Sequence, residues 1–227
     1  MGELVLVRHG ETEWALSRQH TSYTDLALTA RGETQARAVA PLLLKRHIAL
    51  ALTSPLQRAA RTAELAGLTD IQIDHDLHEW DYGSYEGITT ADIHRTRPDW
   101  NLWTDGVPPG PDAHPGESPQ QVAVRADRVL SRIAPALQDP NAGDVILVAH
   151  GHFLRVLTAR RLGLPPAAGA LFALDTGTVS CLGTEHGRPV ITAWNATTAA
   201  SSTTEATTRS TFHPIAQFPS EESITPG

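Results

Sequence analysis

The sequence predicts an α/β protein, a three-layer α/β/α sandwich built around a mostly parallel central sheet. Short, apolar, β-rich runs alternate along the chain with longer segments of helical periodicity, which is the pattern of strands joined by crossover helices. Several runs, including 145–149, are apolar at every position, as expected for strands that are covered on both faces. A chain of 227 residues, 41% of them apolar, is long enough for one domain with its own core.

The predicted strands are short apolar runs, in chain order 3–7, 49–53, 71–74, 145–149, 178–182 and 190–194. The predicted helices are the longer segments 30–46, 55–66, 90–97, 119–137 and 152–162. In the first helix, Ala36, Val39 and Leu43 recur at three- and four-residue spacing, which predicts a buried stripe. The second and fourth helices begin with the same pattern, in which Ser54 or Ser118 is followed by proline and, three residues on, by glutamine. This pattern predicts a capping box at each start.

Two segments differ in composition from this alternating pattern. Residues 83–117 are rich in Trp and Pro, and we expect them to form an excursion over the carboxyl edge of the sheet. From residue 196 onward the chain is rich in Ser and Thr and poor in apolar residues, so it cannot bury enough surface to offset its ordering entropy. We therefore predict one domain over residues 1–195 and a disordered or loosely docked tail over 196–227.

The overall charge narrows the class of function. The net charge is −7, with 25 acidic residues against 18 Lys and Arg, so the basic stripe of a nucleic-acid-binding protein is not expected. No apolar run approaches the ~18 residues of a membrane span, and no charged and apolar leader precedes the first strand. We expect a cytoplasmic protein with no nucleic-acid and no membrane partner, and a homodimer is compatible with the sequence.

Histidine and arginine residues follow three of the predicted strands. His9 comes after the first strand in Arg8-His9-Gly10, and His150 comes directly after strand 145–149. Arg58 lies one turn into the helix that follows strand 49–53. Because ligands bind beyond the carboxyl ends of parallel strands, these side chains should converge at one edge of the sheet. A phosphoryl group needs such a set, with a nucleophilic ring nitrogen and guanidinium groups for its oxygens.

Six segments resemble, in family order, the motifs of the histidine phosphatase superfamily, in the branch of cofactor-dependent phosphoglycerate mutases and fructose-2,6-bisphosphatase-type phosphatases. They span roughly residues 3–194 and are 6–14, 25–32, 54–59, 77–83, 115–118 and 148–151. The resemblance implies a phosphoglycerate mutase-like fold. It also implies a phosphatase without cofactor or metal, which hydrolyses a small phosphorylated metabolite through a phosphohistidine.

The resemblance further implies a role for each matching position. His9 would be the nucleophile, and Glu79 would protonate the leaving oxygen and later activate water. The other positions would bind phosphate or substrate: Arg8, Thr21, Arg58, Tyr82, His150 and the backbone N–H of Gly151. Of these, Arg8, Arg58 and His150 would also belong to the catalytic set.

Some positions allow two interpretations. Glu117 either interacts with the N-terminus of the helix that follows it or supports the site from behind. His152 either touches substrate or caps its helix. The other histidines lack the spacing of metal ligands, so no metal is expected.

The chain also departs from the family pattern. Ala15 stands where the family often has an asparagine that donates to the phosphate, and residues 89–112 lack the lysine and paired arginines that mutases use. A phosphoglycerate mutase is therefore the alternative enzyme, and a silent phospho-ligand-binding module is a third hypothesis. Three tryptophans suggest a substrate with a flat or apolar part at least as much as a compact sugar phosphate. They are Trp80, Trp100 and Trp103.

Overall fold

The computed structural model describes residues 2–111 and 113–198. Most of the predicted tail, 199–227, lies outside the described residues, so the division into domain and tail stays a prediction. Within the described part, six strands form a single sheet in the order β3-β2-β4-β1-β5-β6. The strands are β1 (Leu4–Arg8), β2 (Ile48–Thr53), β3 (Ile71–Ile73), β4 (Asp144–Ala149), β5 (Val179–Glu185) and β6 (Arg188–Ala196).

The pairing of the strands confirms the predicted, mostly parallel sheet. β1, β2, β3 and β4 run parallel, whereas β5 is antiparallel to β1 and β6 is antiparallel to β5. β1 and β4 are direct neighbours in the middle of the sheet, with Arg8 opposite Ala149. The residues that follow these two strands therefore leave the sheet side by side.

Helices cover both faces of the sheet. The helices are α1 (Glu13–Ser17), α2 (Ala30–Leu43), α3 (Gln57–Leu65), α4 (Thr90–His94), α5 (Leu102–Asp105), α6 (Pro119–Gln138) and α7 (Gly151–Arg161). Side chains of β1 alternate between two core clusters, with Leu4 and Leu6 in the one that includes α6 and α7. Val5 and Val7 belong to the cluster formed with α2 and α3. This alternation confirms the three-layer sandwich. Among the described helices, none combines the length and apolar character needed to cross a membrane.

The two predicted capping boxes have different outcomes. The box at Ser118 is confirmed, because its hydroxyl accepts from the backbone N–H of Gln121 while the Gln121 side chain accepts from the N–H of Ser118. The box at Ser54 is wrong. Its helix begins later, at Gln57, whose N–H donates to the carboxylate of Asp25 at 2.8 Å. The Ser54 hydroxyl lies instead 2.7 Å from Nε2 of His150.

Five short elements were not predicted from the sequence, namely α1, α5 and the 3₁₀ turns over His75–Leu77, Gly83–Tyr85 and Pro166–Leu171. The Trp-rich segment packs inward as well as over the edge. Trp100 and Leu102 join the same core cluster as Trp80. Trp80 and Trp100 are both buried in the core, so these two side chains do not support the expectation of a substrate with a flat or apolar part, and the nature of the substrate stays a prediction.

Candidate active site

A cavity of about 340 Å³ opens at the carboxyl edge of the sheet, beside the ends of β1 and β4. Six of the predicted site residues lie on its wall: Arg8, His9, Thr21, Glu79, Tyr82 and Gly151. Arg58 and His150 lie behind the wall. Both are almost fully buried, and the rings of His150 and His9 are in edge contact with centroids 5.1 Å apart. The structure thus brings all eight predicted residues into one region.

His9 is held by main-chain contacts at the end of β1. Its N–H donates to the carbonyl of Ala149 at 3.0 Å, and the N–H of Gly10 donates to the hydroxyl of Thr62. Nδ1 of the ring lies 2.7 Å from the carbonyl oxygen of Gly10. A carbonyl can only accept, so Nδ1 carries the proton and Nε2 keeps its lone pair. Burial, with the charges of Arg58 and Arg8, lowers the pKa of His9 well below its usual value.

Two glycines allow the main chain of the His9 loop to lie directly against the main chain of α2. A Cβ atom at Gly10 would lie 2.2 Å from the carbonyl oxygen of Gly32, and a Cβ at Gly32 would lie 2.1 Å from that of Glu11. The carbonyl of Glu11 also accepts from the N–H of Thr29, just ahead of α2. The loop after His9 is therefore locked to the start of α2.

His150 and Arg58 form a buried layer behind His9. Nε of Arg58 donates to Nδ1 of His150 at 3.2 Å, so the ring proton is on Nε2 and points to the hydroxyl of Ser54. The outer nitrogens of Arg58 donate to the carbonyls of Thr21, Ser22 and Thr24. Arg58 thereby fixes both the histidine and the loop that carries Thr21.

Arg8 lies against Gly151 at the first turn of α7. A Cβ at Gly151 would come within 3.2 Å of the guanidinium carbon of Arg8, so a larger residue there would require this side chain to shift. One outer nitrogen of Arg8 donates to the carbonyl of Leu174. Nε is buried and has no hydrogen-bond partner among the described residues. A buried donor without a partner is costly, and an anion beside His9 would satisfy it.

Glu79 is bound by the N-terminus of α7. Its Oε1 accepts from the backbone N–H groups of Trp80 and Phe153 at 2.9 and 2.8 Å, and its Oε2 accepts from that of His152 at 3.0 Å. The unpaired N–H groups at the helix start fix the position of the carboxyl group. Oε2 has the smaller number of donors and retains a free lone pair toward the cavity.

A buried ion pair holds the loop that carries Glu79. Arg125 of α6 donates to both carboxylate oxygens of Glu117, and Glu117 also accepts from the N–H of Asp81. The same guanidinium donates to the carbonyls of Asp76, His78 and Glu79. Glu117 is therefore a support of the site, and Ser118 alone caps the helix.

Arg125 is a functional residue that the sequence reasoning missed. A signal was available, since Arg125 follows Val122 by three residues and precedes Val129 by four, on the buried stripe of α6. A charged residue at such a position must have partners inside the protein.

The environment of His152 distinguishes between its two interpretations. The N-terminus of α7 has no side-chain cap, and Nδ1 of His152 lies 2.6 Å from the hydroxyl of Tyr82. Burial and the charge of Arg155 lower the pKa of His152 well below its usual value, whereas burial and Glu79 raise that of Tyr82. His152 is thus a neutral ring on the cavity wall, hydrogen-bonded to Tyr82.

The rest of the wall is more polar than the sequence suggested. Arg18, Gln19, His20, Thr90 and Arg155 contribute to it, and its tryptophan is Trp14. Trp103 is half-buried beneath the guanidinium of Arg155, 4.4 Å from ring centre to Cζ. Within residues 2–111 and 113–198, no group of three or more metal-binding side chains is found.

Comparisons with known proteins agree with this geometry. The model of the histidine phosphatase superfamily (branch 1) matches residues 4–197. An acid phosphatase of Mycobacterium tuberculosis is 44% identical over 186 residues, which are 81% of this chain and 87% of that protein. The sedoheptulose 1,7-bisphosphatase of Saccharomyces cerevisiae is 35% identical over 70% of this chain and 67% of its own length.

Two solved structures are similar over most of the chain. A protein from an open reading frame of Mycobacterium tuberculosis superposes with a TM-score of 0.78 at 42% identity, covering 86% of this chain and 98% of the other. A mycobacterial glucosyl-3-phosphoglycerate phosphatase superposes with a TM-score of 0.72 at 31% identity, covering 87% and 100%.

Proposed function

This chain belongs to the histidine phosphatase superfamily and is a phosphatase, and we propose that it hydrolyses a small phosphorylated metabolite through a phosphohistidine on His9. The observation that carries the proposal is the state of His9. Nδ1 of its ring donates to the carbonyl of Gly10, burial lowers the pKa of His9, and the residue lies on the cavity wall. The ring therefore offers an unprotonated Nε2 as a nucleophile at neutral pH.

The first step transfers the phosphoryl group to the protein. Nε2 of His9 attacks phosphorus, and the bond between phosphorus and the ester oxygen breaks. Arg8 on the cavity wall supplies positive charge and donors that stabilise the phosphoryl oxygens, and the buried guanidinium of Arg58 behind His9 adds a second positive charge. Glu79, protonated on Oε2, gives its proton to the leaving alkoxide, which departs as an alcohol.

The second step returns the site to its starting state. Water attacks phosphorus on the phosphohistidine, the bond from phosphorus to Nε2 breaks, and Glu79 takes up the proton of the water. Inorganic phosphate leaves. The positive charge at the phosphate comes from guanidinium groups, so we propose that the reaction proceeds without a metal ion.

The size of the cavity supports a small substrate. A volume of about 340 Å³ is in the range of pockets that enclose metabolites. The known phosphatases that resemble this chain, for sedoheptulose bisphosphate and for glucosyl-3-phosphoglycerate, are named for small phosphorylated compounds.

Phosphate release should be measured on sugar phosphates, phosphorylated acids and nitrophenyl phosphate, with a metal chelator present throughout. We expect turnover in chelator, and rapid quenching with a ³²P-labelled substrate should trap label that acid removes and base does not. Label on a serine or an aspartate would refute the phosphohistidine. Activity that requires a divalent ion would refute the metal-free mechanism.

A further inference from the structure

A second cavity, of about 530 Å³, is bordered by two segments that also line the active-site cavity. In the first segment, Thr21 lies on the wall of the active-site cavity and Ser22 on the wall of the second one. In the other segment, Glu79 lies on the wall of the active-site cavity, whereas His78 and Asp81 lie on that of the second. A ligand in the second cavity would therefore contact residues that are adjacent in the chain to Thr21 and Glu79.

The wall of the second cavity carries negative charge. Two of its residues are acidic, Asp81 and Glu117, and among the described residues on the wall none is a lysine or an arginine. Arg125 lies behind the wall and balances the charge of Glu117 through an ion pair of 2.7 Å. Asp81 makes no ion pair with any described residue, so its charge is the one that remains.

Asp81 is buried, with only 8% of its surface exposed. Its carboxylate accepts from the backbone N–H groups of Gly83 at 2.9 Å and Gly116 at 3.2 Å. These hydrogen bonds fix the carboxylate and leave its charge in place. His78 does not supply the missing cation, because burial and the charge of Arg125 lower the pKa of its ring. A buried charge without a partner is costly, so a cation that enters the cavity would be stabilised.

The remaining wall of the cavity is aromatic and apolar. The rings of Tyr23 and His114 stack with their centroids 3.6 Å apart, and Leu56, Ala113 and Pro115 lie beside them. Aromatic faces attract cations, and apolar side chains pack against a carbon framework. In the part of the chain that the structure describes, no group of three or more side chains suits a metal ion. The wall therefore favours an organic cation.

Both segments of the wall are connected to the catalytic groups. The carbonyl of Ser22 accepts from Arg58, which also holds His150 behind the nucleophile. The N–H of Asp81 donates to Glu117, whose partner Arg125 donates to the carbonyl of Glu79. A ligand that bridges the two segments would restrain both. Binding at one site and events at the other are then coupled.

We propose that this second cavity binds a small organic cation, an ammonium or amidinium group on a flat or apolar body, and that the bound cation raises turnover. The cationic group lies at Asp81, and the body packs against Leu56 and the stacked rings of Tyr23 and His114. This site is distinct from the phosphate site at His9, and the binding of the cation does not depend on the reaction mechanism proposed above.

The test uses benzamidine, a flat amidinium cation, with benzamide as its neutral analogue of nearly the same shape. Titration calorimetry in saturating inorganic phosphate keeps the active-site cavity occupied and reports on the second cavity. We expect benzamidine to bind at least about tenfold more tightly than benzamide, the difference that one charged hydrogen bond makes. Saturating benzamidine should also raise kcat for nitrophenyl phosphate about twofold or more.

Two substitutions should shift the preference for benzamidine in opposite directions. Asp81→Asn keeps the shape of the side chain and removes its charge, so the preference should fall about tenfold. Gln121→Glu adds a carboxylate to the wall and should tighten the binding of benzamidine at low salt. It should also preserve the capping box, in which glutamate serves as well as glutamine.

Asp139→Asn is the matched control, because Asp139 is exposed at the other end of α6 and is not on the wall of this cavity. It should keep the wild-type preference. Thermal unfolding shows whether each variant folds. If Asp81→Asn does not fold, Gln121→Glu decides, and an unchanged affinity for benzamidine in that variant would overturn the proposal.

Other results would also overturn it. Equal affinities of the wild type for benzamidine and benzamide would show that the charge of Asp81 attracts no cation. The same loss in Asp81→Asn and Asp139→Asn would show that Asp81 is not the partner. Competition between benzamidine and inorganic phosphate would place the cation in the active-site cavity. Tight binding without a rise in kcat would confirm the site and overturn its effect on turnover.

Discussion

The nucleophile side and the acid side of the cavity are built in different ways. His9 follows a central strand, and the backbone of its loop is tied to β4 and α2 by main-chain contacts and to α3 through the hydroxyl of Thr62. Glu79 lies in a stretch between β3 and α4 that contains only short 3₁₀ turns. Its position depends on side chains from α6 and on the first turn of α7.

This difference predicts how sensitive the position of each catalytic side chain is to remote substitutions. Main-chain contacts do not depend on which side chain is present, so the placement of His9 should tolerate most remote substitutions. The placement of Glu79 depends on the ion pair of Arg125 with Glu117 as well as on backbone N–H groups, and should change when either partner of the pair changes. The acid side is thus the side that single remote substitutions can perturb.

The largest effect should come from the nucleophile itself. His9→Ala should abolish turnover and phosphoenzyme formation, because it removes the ring nitrogen that attacks phosphorus in the proposed mechanism. The variant should still fold, since the loop around it is held by main-chain hydrogen bonds. Phosphate release, rapid-quench labelling and thermal unfolding measure this. Residual labelling at the wild-type level would show that the nucleophile is elsewhere.

The next effect concerns the acid. Glu79→Gln keeps the shape of the side chain and cannot give a proton, so phosphoenzyme formation from an alkyl phosphate should slow ~10²–10⁴-fold. Nitrophenyl phosphate leaves as a stabilised phenolate and should slow much less. Single-turnover measurements isolate this step from water attack. If both substrates slow equally, Glu79 positions the phosphate and another group donates the proton.

A smaller effect should follow from loosening the acid side at a distance. Arg125→Lys keeps the charge but loses most of the five hydrogen bonds to Glu117 and the loop carbonyls. We therefore expect kcat on an alkyl phosphate to fall about 10-fold. A loss of this size corresponds to the energy of one buried charged hydrogen bond.

The control is Arg128→Lys, since Arg128 is an exposed arginine of the same helix that pairs with Asp76. It should stay near wild-type activity. If Arg125 acts through Glu79, nitrophenyl phosphate should suffer less than the alkyl phosphate, as it does in Glu79→Gln. An equal loss on both substrates would indicate a general loss of structure.

The smallest effect is on stability against pH. Burial lowers the pKa of His9 and His150 well below the usual 6.5, so the folded protein binds fewer protons there than the unfolded chain. Stability should therefore fall as the pH is lowered through 6.5, by up to about 1.4 kcal/mol per pH unit for each such histidine. The slope of unfolding free energy between pH 6.5 and 5 should be shallower in His9→Ala. An unchanged slope would contradict a neutral, buried His9.

The fold was largely predictable because its signals are local. All six strands are apolar runs, and the long helices carry stripes. α1 and α5 have five and four residues, too few for a periodic pattern to be recognised. The cap at Ser54 failed for a non-local reason, since its hydroxyl contacts His150, which is distant in sequence.

The same division applies to the site. His9 and Glu79 were found from the residues around them, whereas the clamp of Arg125 on Glu117 is formed by segments that meet only in the folded chain. Trp80 and Trp100 do not line the cavity because an apolar side chain in a loop region serves a core as readily as a ligand, and burial decides between the two.

The contact between Gly10 and Gly32 has a consequence for how this chain can vary. An added side chain at either position collides with the main chain of the other segment, and no third substitution can remove a backbone atom. Glycine should therefore be retained at both positions together, although a long stretch of chain separates them in the sequence. In a mutagenesis library that randomises Gly10 and Gly32, every functional clone should retain glycine at both positions.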